Sequence, residues 1–256
     1  RDTLYPLSEY RMKTHKIYYH EYSGDGENDL IYSPFSVEGV GFGLTNEYSI
    51  SPKDAIYSQC PAWKHRTSRL FTVKSPVDID CIVDRENEYI NSAGLTQEQF
   101  DQWFSPTFAD SNWCSPEKTT IQLTIPRFIF WTESKNIWIE QRPHPLTTLN
   151  NNFITVGGWF NVSSWCRPTS FAFDIVNPDL PMIIKRGDPV SQFAFYSPNL
   201  DDGYILQRAE PPEDVIKRVT RTSGTVNTFN RNIPRDILNK IFRKEESKCP
   251  FHHLWK

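Results

Sequence analysis

No stretch of this sequence is apolar for long enough to cross a bilayer, and none has the build of a secretory or transit peptide. Cysteine is sparse. Residues 60, 81, 114, 166 and 249 are odd in number and far apart, so they make no disulfide framework and suit a reducing cytoplasm. There is no Walker loop and no dinucleotide fingerprint. A dominant charge is missing too: the net charge of −3 argues against a general binder of nucleic acid or membranes. Glycine is outnumbered by proline, 11 to 19, which predicts short elements joined by stiff turns. Apolar residues reach only 38%, yet 8 Trp, 17 Phe and 11 Tyr supply the area for a core. At 256 residues the chain is long enough for one sizeable β domain.

What is present is densest between Gly157 and Pro198. Phe171–Val176 and Val190–Tyr196 are rich in aromatic and β-branched residues and predict strands, and Met182–Lys185 between them predicts a third. Asn177–Pro181 and Arg186–Pro189 predict the turns between them, with Gly187 free to take a positive φ. In the third strand Ser191, Phe193 and Phe195 share one face, while Val190, Gln192, Ala194 and Tyr196 share the other. Both faces carry apolar groups, so the strand is expected to be buried on both sides. Gln192 then needs hydrogen-bond partners, or ties down a loop.

Phe173, Ile175, Asn177, Leu180, Pro181, Gly187, Asp188, Val190, Gln192 and Phe195 form a pattern similar to the core of the dCTP deaminase and dUTPase family. The resemblance covers residues 157–198. It implies a jelly-roll-like β subunit, commonly a trimer, that binds or processes a nucleotide. The family's Arg-Ser-Ser phosphate motif is not visible upstream, and its Gly-rich C-terminal arm is missing. Glu38–Thr45 is Gly-rich but lies before the core, so no catalytic role is carried over. Over its whole length the chain also resembles uncharacterised proteins of tailed phages of the cyanophage type, through Cys60–Trp63, Val73–Asp78 and the spacing of its Trp and Gly-Asp-Pro residues.

Elsewhere the pattern is thinner. Ser51–Asp54 reads as the start of a short helix that ends by Cys60-Pro61. Residues 69–84 read as two strands broken at Ser75-Pro76. Asp78 and Asp80 share one face of the second, either as a chemical pair or as the wet side of a half-buried strand. Leu95–Phe104 has a capping box in Thr96 and Gln99 and an apolar stripe, and predicts a helix followed by a polar loop, Ser105–Thr119. Thr120–Trp131 and Asn136–Gln141 read as strands paired through Thr132–Lys135, with Pro126 marking an edge or a bulge. Residues 211–219 predict a short helix, 220–232 a polar linker, and 234–244 an amphipathic helix. The expected organisation is a mainly β domain over 1–207, of jelly-roll or dUTPase-like kind with a few short helices. A helical, basic tail over 208–256 would pack on it or on a neighbouring subunit.

The chemistry is sparse. Asp25, Glu27 and Asp29 alternate as in a calcium loop but lack a distal Glu. Cys249, His252 and His253 are one ligand short of a zinc site. His15, His20, His65 and His144 stand alone, and no nucleophile–base arrangement is legible in chain order. Neither a metal nor a cofactor is therefore expected. Trp159, Trp165 and Arg167 flank the central strands, where aromatic rings and a guanidinium can stack on and clamp an anionic or base-bearing ligand. With Asp188 and Gln192 they are the candidate ligand-binding residues. Two functions compete: a non-catalytic binding or assembly protein, and a nucleotide-binding or nucleotide-processing protein with a diverged site. The expected partners are copies of the chain itself, or a protein held by the C-terminal helix.

Overall fold

The computed structural model describes residues 12–22, 44–50, 53–75, 78–84, 89–92, 104–109, 118–145 and 152–228. These are mainly β. The first of three sheets contains β1 (Thr14–Tyr22), β6 (Phe104–Ala109), β7 (Lys118–Trp131), β9 (Phe153–Thr155), β11 (Thr169–Ile175) and β14 (Gly203–Arg208). Its order is β14-β1-β7-β11-β9, with β6 also on β7. The second contains β2 (Leu44–Asn46), β3 (Leu70–Lys74), β8 (Trp138–Arg142), β10 (Gly158–Asn161) and β13 (Pro189–Tyr196), in the order β10-β8-β13-β3-β2. The third is small: β12 (Met182–Ile184), β4 (Ile79–Asp84) and β5 (Tyr89–Ser92).

The two large sheets face each other across phenylalanine. Phe128 and Phe130 on β7, Phe171 on β11, and Phe193 and Phe195 on β13 are at most 1% exposed. Their rings meet mainly edge to face, as the aromatic quadrupole prefers. Burying one such side chain stabilises the fold by about 1.5–3 kcal/mol. This explains how a chain low in aliphatics closes a core. The opposite face of β7 carries Ile129 and Trp131, which pack with Cys166 against Val215 and Val219 of α3 (Glu213–Thr228).

All three strands of the central unit form, but each joins a different sheet: β11 the first, β12 the third and β13 the second. The stretch is thus the junction of the fold. Asn152, at φ 50°, holds the first turn by donating to the carbonyls of Asn177 and Leu180, each at 2.7 Å. Gly187 takes φ 89° in the second. The Thr155 hydroxyl donates to the Val190 carbonyl and ties the first sheet to the second. β13 is buried on both faces, as its composition predicts.

Several expectations are corrected. β7 and β8 do not pair. β7 lies between β1 and β11 and β8 between β10 and β13, so Thr132–Lys135 crosses from one sheet to the other. Pro126 sits where β7 exchanges β6 for β1 as its neighbour and its register with β11 shifts. No ladder bond is required of it there, which is why a long strand tolerates it. Pro61 opens a helix, α2 (Pro61–Thr67), instead of ending one, because a proline at N1 lacks only an N–H that would be orphaned anyway. Residues 104–109 are strand β6, not loop. The polar segment after 219 stays helical to Thr228. The remainder of the helix expected at 95–104, the acidic loop at 25–29, the helix at 234–244 and the Cys249 cluster lie outside the described residues.

Candidate functional site

β9 is one edge of the first sheet and β10 one edge of the second, and the chain runs from one to the other through Val156 and Gly157. Where these edges part, an open cleft of about 330 Å³ forms. That is at the small end of ligand sites, which run from about 300 to 1,000 Å³. Gln141 of β8 and Ala172 of β11 lie on its two sides, with Phe160 and Thr169 between. Gly157 is required by close approach: a Cβ there would meet the Gln141 carbonyl oxygen at 2.5 Å.

The segment after β10 presents two groups to this cleft. Val162 and Cys166 are buried and anchor it, while Trp165 is half-buried and Arg167 exposed. The Asn161 carbonyl accepts from the Trp165 N–H at 2.9 Å, and the Asn161 side chain accepts from the Ser163 N–H at 3.0 Å. The Trp165 indole meets Phe160 edge to face at 5.9 Å. Its Nε1 is buried and has no hydrogen-bond partner. An unmade bond of that kind costs about 1–3 kcal/mol. The Arg167 guanidinium carbon lies 5.9 Å from the Trp165 ring centroid, and among the described residues it forms no ion pair. A cation and an aromatic ring therefore share one wall.

Trp159 borders the cleft, but its ring serves the other face of β10. It stacks on Tyr196 at 4.9 Å and 17°, and is 56% exposed. The Tyr196 hydroxyl donates to Glu140 at 2.7 Å, and burial together with that carboxylate pushes it up to about 12.

The other two candidates lie elsewhere. Asp188 closes its own turn: its carboxylate accepts from the Lys185 N–H at 2.8 Å, and the Ser75 N–H donates to its carbonyl. Gln192 is 2% exposed and faces away from the cleft. It accepts from Arg142 at 3.3 Å and belongs to a polar cluster with Glu47, Thr72 and His144. Burial would raise the Glu47 carboxyl, but hydrogen bonds from His144, Thr72 and Gln192 outweigh it and hold it below the usual range. Asp78 accepts from the Arg186 N–H at 2.8 Å, a structural tie. Among the described residues no three His, Cys, Asp or Glu side chains are grouped to hold a metal ion. No described helix is long and apolar enough to span a membrane.

Gln141, Phe160 and Gly157 were not legible as site residues. Only the Gly157-Gly158 pair gave a signal, of close backbone approach. No protein-family model matches the chain, and no curated protein matches it.

Proposed function

We propose that the chain is a binding protein whose cleft takes a small anionic ligand with a planar ring, of the nucleotide class. The observation that carries this is the exposed Arg167 guanidinium beside the Trp165 ring on the cleft wall, with no ion pair among the described residues. A guanidinium recognises phosphate through paired N–H donors. The aromatic walls accept a flat ring. The resemblance of residues 157–198 to the dCTP deaminase and dUTPase core favours the same ligand class and a dUTPase-like or jelly-roll body, although a likeness of fold alone does not establish activity.

A second reading, a phage-encoded assembly subunit, is favoured by a different observation. Ile154, Val156, Val176 and Leu180 near edge strand β9 are 42–61% exposed, which suits contact with another copy of the chain.

A thermal-shift panel of deoxynucleotides, with and without Mg²⁺ or Zn²⁺, separates the two. A ligand at 100 times its Kd stabilises the folded state by about 2.7 kcal/mol. The binding reading expects a rise in Tm with dUTP or dCTP that Arg167→Ala abolishes. A flat panel, with a concentration-dependent mass in light scattering, supports the assembly reading instead.

A further inference from the structure

The junctions between sheets bring together three residues that are far apart in sequence. Ser134 lies in the turn where the chain crosses from the first sheet to the second. His15 is on β1, and Asp202 immediately precedes β14. The Ser134 hydroxyl oxygen is 2.9 Å from His15 Nδ1, and Asp202 Oδ2 is 2.8 Å from His15 Nε2. The side chains of His15 and Asp202 are 12% and 5% exposed. Ser134 is partly exposed.

The hydrogen-bond roles follow from the partners. An ionised carboxylate only accepts, so Nε2 carries the hydrogen. In the neutral ring Nδ1 is then the acceptor, and the Ser134 O–H must donate to it. Each member is held in place. Asp202 also accepts from the Lys13 N–H at 3.0 Å, the Ser197 hydroxyl at 2.8 Å and the Asn199 amide at 2.9 Å. The His15 ring stacks on Tyr204 at 5.8 Å. The Ser134 N–H donates to the Thr132 hydroxyl at 3.1 Å, and that hydroxyl donates to the Lys16 carbonyl at 2.8 Å. This is the pre-organisation that a nucleophile, base and orienting acid require.

We propose that Ser134 is a nucleophile activated by His15, with Asp202 as positioning residue, and that the site cleaves activated carboxylic esters. The Ser134 oxygen attacks the ester carbonyl carbon and its proton passes to His15 Nδ1. The bond from that carbon to the leaving alcohol breaks, and the alcohol departs with the proton from Nδ1. Water then attacks the acyl-serine, gives a proton to Nδ1 and releases the acid, and the proton returns to the Ser134 oxygen. Ester and water become acid and alcohol, with no redox partner. The site is separate from the cleft and does not depend on how the cleft is read.

The test is a fluorophosphonate probe with peptide mapping, alongside release of p-nitrophenol from p-nitrophenyl acetate. The native full chain is expected to be phosphonylated at Ser134 and to lose that labelling in denaturant. It should hydrolyse the ester about 100-fold faster than Ser134→Ala, the lower end of general-base contributions. Ser134→Ala removes only a turn hydroxyl, so its fold is preserved and melting temperature checks this. For Asp202 the readout is the imidazole ¹⁵N spectrum: Nε2–H in the native protein, and Nδ1–H once Asp202→Asn turns an amide donor towards the ring. No labelling of the native chain, or labelling that persists in denaturant, overturns the proposal and leaves the trio as a structural clasp.

Discussion

Phe130 of β7 and Phe193 of β13 meet edge to face with ring centroids 5.0 Å apart, and this contact joins the two large sheets at the centre of the core. Both are at most 1% exposed. Phe193→Ala is therefore expected to cost about 3–5 kcal/mol, because the cavity it leaves is walled by strands that cannot collapse into it. Leu180→Ala, at a side chain 53% exposed, should stay within about 0.5 kcal/mol. Urea denaturation of the two variants measures the contrast.

The neighbouring glycines 157 and 158 are predicted to behave differently. A Cβ on Gly157 meets a backbone oxygen at 2.5 Å, while one on Gly158 meets nothing within 4 Å. Gly157→Ala should lower the melting temperature and deform the cleft. Gly158→Ala should be neutral or slightly stabilising, since it only restricts the unfolded chain. Equal melting temperatures would mean that β8 does not approach as described.

Acid should act through Asp202. Burial alone would raise its carboxyl, but hydrogen bonds from His15, the Lys13 N–H and Ser197 hold it down to about 2, from an ordinary 3.8. A folded value below the unfolded one means that the unfolded chain takes up the proton first. The stabilisation is complete above pH 3.8 and is lost as pH falls towards 2. Stability measured across that window should fall more steeply for the native chain than for Asp202→Asn.

Cysteine reactivity should sort by burial. Cys60 is exposed, whereas Cys166 lies under α3 and burial pushes its thiol up to about 11. The thiolate is the reactive form. Iodoacetamide at neutral pH should modify Cys60 readily and Cys166 only after unfolding, as read by peptide mass.

The strands of the central unit were legible because each is a short apolar run, aromatic or β-branched, set off by prolines. Their distribution over three sheets was not, since composition does not encode which strand is the neighbour. For the same reason the β7–β8 hairpin was a reasonable but incorrect expectation: a short polar turn joins strands whether they pair or cross between sheets. Of the three residues picked out together, Trp165 and Arg167 meet at the cleft, while Trp159 turns its ring to Tyr196. Gln192 and Asp188 share their strand neighbourhood but face other partners, a distinction set by register. Ser134, His15 and Asp202 were invisible as a group because more than a hundred residues separate His15 from each of the others.

The cleft is tested most directly at the Trp165 indole itself. Its Nε1–H resonance, assigned by its loss in Trp165→Phe, can be followed in a ¹⁵N–¹H spectrum during titration with dUTP or dCTP. Nucleotide bound against the Trp165 ring is expected to shift that one indole signal saturably, with no such shift in Arg167→Ala. An unmoved Trp165 signal at saturating nucleotide, or a shift that survives Arg167→Ala, would contradict it.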